Sequence, residues 1–179
     1  MIRNQSNQRF RVISLSAYAS GVVSIVGIVF LLLSWIVGGP FGRLNDNAVI
    51  IQYLLALPMP LALQQFMQDR APALSKITML IGIVAICAVV VLQLLLVVGA
   101  LSFEQEVGLV LIALLVFGVW IVITGYFLGR SIGKLPRSLL ISVLAALYFG
   151  YPIWAIWLAR LLVSRKLTIS KSSIRGETA

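Results

Sequence analysis

The chain has no histidine, one cysteine and only five acidic residues among 179. Its longest apolar stretches contain no charge at all. None stands between Arg11 and Arg43, Asp46 and Asp69, Lys76 and Glu104, Glu106 and Arg130, or Arg137 and Arg160. Each absence excludes a chemistry. Without histidine, a membrane haem has no imidazole ligand. Zinc and di-iron centres need clustered His, Cys or carboxylates, and no apolar stretch carries two of these. Intramembrane proteolysis wants a buried Asp pair, a Ser–His pair or HExxH, and proton-coupled transport wants an ionisable relay at membrane depth. A lone thiol, Cys87, closes no intramolecular disulfide and reads as a small polarizable side chain in a packed helix. The sequence therefore assigns no catalytic, cofactor-binding or metal-binding residue, implies no cofactor, and reads as that of a non-enzyme.

What is present is apolar surface. The chain is 61% hydrophobic and 11% charged, with a mean hydropathy of +1.08, against roughly 25% charged residues in a soluble domain. A water-soluble core cannot absorb that surplus, so apolar faces must meet lipid. The expected fold is an all-α integral membrane helix bundle, with four secure transmembrane helices and a fifth segment that spans or re-enters. A basic stretch 1–11 precedes one bundle over 12–164, with segments at about 12–38, 48–66, 77–103, 107–129 and 138–164. A flexible basic tail, 165–179, should follow, because it has little apolar surface to fold around. The first segment is far longer than the ~7–15 apolar residues of a secretory signal, which favours a retained helix.

The net charge of +9 sits in connectors and ends. Anionic lipid headgroups at basic loops explain it better than nucleic acid, which is not expected as a partner. Within the second segment, Pro58-Met59-Pro60 removes two backbone donors and should kink the helix; Asn45-Asp46-Asn47 should cap its start. Segments three and four should form a hairpin around Glu104-Gln105-Glu106. The fifth is interrupted by Gly150-Tyr151-Pro152. A full crossing, the commoner structure, splits the fourteen Lys and Arg eight to six. A dip and return leaves Arg43 alone opposite all the others, a far stronger positive-inside bias. Both alternatives put the N-terminal stretch and the Arg130–Arg137 loop in the cytoplasm.

Neutral polar residues remain. Gln52 and Gln93 lie at membrane depth, where interhelical hydrogen bonds contribute about 0.6–2 kcal/mol each. With Gln64, Gln65, Pro58 and Pro60 they form either interhelical contacts or the lining of a cavity at a broken helix. Ser16, Ser20 and Ser24 form one small-residue stripe and Gly118, Gly125 and Gly129 another; both read as intramolecular packing faces ahead of homodimer faces. Tyr148, Phe149, Tyr151, Trp154 and Trp157 read as an aromatic belt at headgroup level.

The stretches Gly39–Leu44, Leu101–Gln105, Lys134–Arg137 and Tyr151–Leu158 resemble a group of small bacterial multi-pass membrane proteins described only as a domain of unknown function. The resemblance runs from the first segment to about Leu162. It implies a bacterial inner (cytoplasmic) membrane protein and carries no activity and no site residues. Two functions are expected. The first is a non-catalytic structural or accessory membrane subunit with a membrane-protein partner or in a homo-oligomer. The alternative is a small carrier or channel for a neutral or lipophilic solute, which needs a cavity lined by the amides; a solid bundle around Pro58–Pro60 would exclude the carrier reading.

Overall fold

The computed structural model describes residues 2–68, 72–131, 133–146 and 150–176, and all its regular structure there is α-helical. Among the described residues seven α-helices follow one another: α1 (Ile2–Ile36), α2 (Phe41–Ala56), α3 (Pro58–Met67), α4 (Pro72–Val97), α5 (Phe103–Ser131), α6 (Leu135–Ala146) and α7 (Tyr151–Gly176). Four stretches are long and apolar enough to cross a membrane: Arg11–Ile36, Phe41–Gln65 (α2 with most of α3), Pro72–Val97 and Glu104–Arg130. At 1.5 Å per residue, each exceeds the ~30 Å hydrocarbon layer. Large apolar side chains such as Leu15, Val84, Ile112 and Leu115 stand exposed along them, as lipid-facing surface requires.

Local chemistry sets the boundaries. After α4, Gly99 takes a left-handed φ of 76°. The Ala100 amide then bonds the Leu95 carbonyl at 2.8 Å and the Gly99 amide that of Leu96 at 3.0 Å, a Schellman end that only glycine adopts without strain. Three residues after Gly99, the Ser102 amide donates to Gln105 Oε1 at 3.1 Å and the Gln105 amide to Ser102 Oγ at 3.4 Å, a capping box that starts α5. The expected α4–α5 hairpin forms around these two devices. The start of α2 differs from expectation. It begins at Phe41 with Pro40 at its N-cap, so Asn45, Asp46 and Asn47 lie inside the helix rather than capping it. Proline satisfies the helix start without a side-chain cap, because its missing amide would be unpaired there anyway.

The fifth segment does not cross. Its two halves, Leu135–Ala146 and Tyr151–Val163, are each too short to span, and their neighbours show that the chain turns back. Helix α6 runs antiparallel along α5, with Ser138 at Gly129, Ser142 at Gly125 and Ala146 at Gly118. Helix α7 then runs antiparallel along α1: Tyr151 meets Ser20, and the Ser14 hydroxyl donates to the Ala159 carbonyl at 3.1 Å. Since α1 starts and α5 ends on one side of the bundle, α6 and α7 form a re-entrant hairpin that leaves where it entered. Its tip lies about ten residues along the α1 span, or ~15 Å deep. The full-span expectation is corrected. Nor is the basic tail irregular over the described residues: α7 continues to Gly176, since extending a helix already nucleated and packed costs far less than starting one.

Among the described residues, every Lys and Arg except Arg43 falls at the side where α1 starts, and Asp46, Glu104 and Glu106 fall at the other. These are called the basic and acidic ends below.

Candidate functional site

The hairpin's depth defines the site. In the basic half of the bundle, α6 and α7 fill the space between α5 and α1. In the acidic half no described residue replaces them, which leaves a notch with α1 and α5 as walls, α2 behind and Ala145 and Tyr151 at its floor. Two cavities occupy it. The deeper, about 310 Å³, is lined by Gln52 and Tyr53 of α2, Leu111, Leu114 and Phe117 of α5, and Ala145 and Tyr151 of the hairpin. Leu111 and Leu115 at its rim are largely exposed, so it opens sideways to lipid. The shallower, about 160 Å³, lies toward the acidic end between Leu31, Asp46, Val49, Gln93, Glu106 and Val110. Tyr53 and Leu114 line both.

The floor is rigid. Ser20 has one hydroxyl proton, which it donates to the Gln52 carbonyl at 3.0 Å. It must therefore accept at 2.7 Å from the Tyr151 hydroxyl, which ties the hairpin tip to α1 and α2 together. Tyr53, Phe117, Trp120, Tyr151 and Trp154 pack in stacked, tilted and edge-on pairs with centroids 5.3–6.3 Å apart, within the range of favourable aromatic pairs. Tyr151 is 3% exposed and Trp154 0%. The belt expected at headgroup level is thus corrected for these two residues, which form the mid-bundle core because the hairpin carries them to its tip. Tyr148 and Phe149 lie outside the described residues.

The upper cavity gathers charge that the sequence scatters. Asp46 is reached by the side chains of Asn45 and Gln93, and its charge faces Glu106. Glu106 is only 5% exposed, yet among the described residues no cation or hydrogen-bond donor meets its carboxylate. The Asn45 Oδ1 atom is buried there without a partner as well. Glu106 sits in the first turns of α5, where the helix dipole favours an anion by about 0.3–1 kcal/mol.

The amide and proline sites separate. Gln52 lines the deep cavity and Gln93 the acidic one, but Gln64 and Gln65 belong to the last turns of α3, toward the basic end. There the Gln64 carbonyl accepts from Ser75 at 2.9 Å, and Gln65 is exposed. Neither of these two cavities is lined by Gln64, Gln65, Pro58 or Pro60. Met59, Pro60, Ala62 and Leu63 are buried, and the Ser16 hydroxyl donates to the Leu55 carbonyl beside the kink. Both small-residue stripes serve packing inside the chain: Ser16 and Ser20 hold α2, and Gly125 and Gly129 admit α6. Cys87 is exposed on α4, not packed.

Sequence reasoning missed the Asp46–Glu106 pair because it placed both residues in loops. A signal was available: the start of α2, the end of α4 and the start of α5 share one end of an up-down bundle. Asp46, Gln93 and Glu106 each stand about one turn from those ends. No protein-family model, curated protein or solved structure matches this chain.

Proposed function

We propose that this is a non-catalytic membrane protein that binds a lipophilic molecule entering sideways from the bilayer. The lateral notch above the hairpin carries this reading. A cavity of about 310 Å³, mostly apolar with a few polar groups (Gln52 and the Tyr151 ring), has the size and character of a small-molecule site. Its opening between exposed leucines suits a ligand already dissolved in lipid. This keeps the lipophilic-solute alternative and places it at the notch, which Gln52 lines and the proline break does not. Against an accessory subunit, the described small-residue faces are already occupied within the chain.

The positive-inside rule supports a cytoplasmic basic end, with Arg43 the one Lys or Arg opposite among the described residues. The notch then opens to the outer half of a bacterial inner membrane, and the basic loops meet anionic headgroups of the inner half. The test is native mass spectrometry of protein extracted in mild detergent. A discrete apolar adduct is expected on the wild type and not on Leu111→Trp, whose indole fills the rim without entering the core. Equal adducts on both proteins, or none on either, would overturn the reading.

A further inference from the structure

We infer that the ligand of this notch is an amphiphile with a cationic amine head, seated between Asp46 and Glu106 with its apolar chain running down to the hairpin tip. The inference rests on the lateral-binding reading and deepens it. Three independent observations meet. Asp46 and Glu106 turn two negative charges toward one cavity. Glu106 is 5% exposed and without a donor or cation among the described residues, while Asn45 offers a buried, unused acceptor oxygen beside it. The acidic cavity is continuous in lining with the deep one through Tyr53 and Leu114.

An ammonium group answers all three. It supplies donors to carboxylates and to an amide oxygen, none of which can donate to the others when ionised. It also removes the repulsion between them. The remaining walls, Leu31, Val49, Val89, Leu96, Val110 and Leu114, are apolar and suit the first carbons of a chain rather than a hydrated ion. A small metal ion fits poorly, because no three His, Cys, Asp or Glu side chains cluster among the described residues. A zwitterionic phospholipid would bring its phosphate against two carboxylates. Depth agrees as well: Asp46 and Glu106 lie about one turn inside the acidic ends of their helices, near headgroup level, and Tyr151 near the middle of the bundle.

The experiment measures saturable binding of tritiated hexadecylamine to the full-length protein in neutral detergent, with tritiated hexadecanol and palmitate as chain-matched probes. Hexadecylamine should bind about tenfold or more tighter than hexadecanol, the difference that ~1.4 kcal/mol of head recognition produces, and palmitate weakest. Asp46→Asn and Glu106→Gln should each reduce the amine-to-alcohol preference to near unity. Unchanged detergent-melting stability shows that the variants are folded. Equal affinity for amine and alcohol, or variants that keep the amine preference, would overturn the head assignment and leave the lateral site standing. No saturable binding of any probe would remove both.

Discussion

Two segments of this protein are broken near their middle by proline, and they behave oppositely. At Leu57-Pro58-Met59-Pro60, the chain kinks and goes on, so that α2 and α3 together cross. At Gly150-Tyr151-Pro152, it turns round. In the first case Leu57 keeps helical angles, φ −51° and ψ −36°, and its amide bonds Leu54 in a tighter turn at 3.3 Å. The Ser16 hydroxyl donates to the neighbouring Leu55 carbonyl, adding a partner where backbone in lipid needs one. In the second case the twelve residues of α6 reach only ~18 Å, and glycine on α5 lets α6 press directly against it. A proline in a membrane segment thus decides little by itself. Which neighbours satisfy the backbone, and how closely they approach, decides whether the chain continues or reverses.

The largest effect that could break this contrast is topological. In a Cys87→Ser background, a membrane-impermeant maleimide should reach Ser173→Cys from the same side as Asn7→Cys, and Gly42→Cys from the other. Labelling of Ser173→Cys alongside Gly42→Cys would make the fifth segment a full crossing and remove the notch.

Packing comes next. A side chain at Gly125 would collide with the Ser142 hydroxyl and β-carbon, whereas Gly108 faces open space. Gly125→Val should destabilise the bundle by roughly 1–3 kcal/mol through overpacking, and Gly108→Val should leave detergent-melting stability nearly unchanged. Equal melting of the two would show that α6 does not depend on the glycine stripe.

The smallest effects separate the two breaks bond by bond. Tyr151→Phe removes the hairpin's tie to Ser20, and Ser16→Ala uncovers the Leu55 carbonyl at the kink. Each should cost about 0.6–2 kcal/mol, the range of interhelical hydrogen bonds in membranes. Pulsed maleimide labelling of a cysteine placed at Ala146, beside the tip, should quicken in Tyr151→Phe and not in Ser16→Ala. The same rate in both would mean that the tyrosine does not anchor the tip.

Much of the architecture was legible before any coordinates. Uncharged runs located all four crossing stretches and the α4–α5 hairpin, although its connector is 98–102 and Glu104–Glu106 open α5 instead. The boundaries at Phe41 and Val97 were less legible, because a proline N-cap and a glycine end act through local backbone geometry that hydropathy does not register. The serine and glycine stripes were recognised as packing faces, but not their partners. The candidate site was barely legible: Gln52 and Gln93 were singled out, whereas Asp46 and Glu106 looked like loop residues.

Composition determined that this chain forms apolar helices for a lipid setting, because the transfer of uncharged side chains is a property of each segment taken alone. Tertiary structure alone decided that the fifth segment stops halfway, that Tyr151 and Trp154 sit at the core, and that two distant carboxylates share a cavity. Those outcomes depend on which helices touch and at what height. Contacts between residues more than a hundred positions apart, such as Ser20 with Tyr151, leave no trace in local pattern.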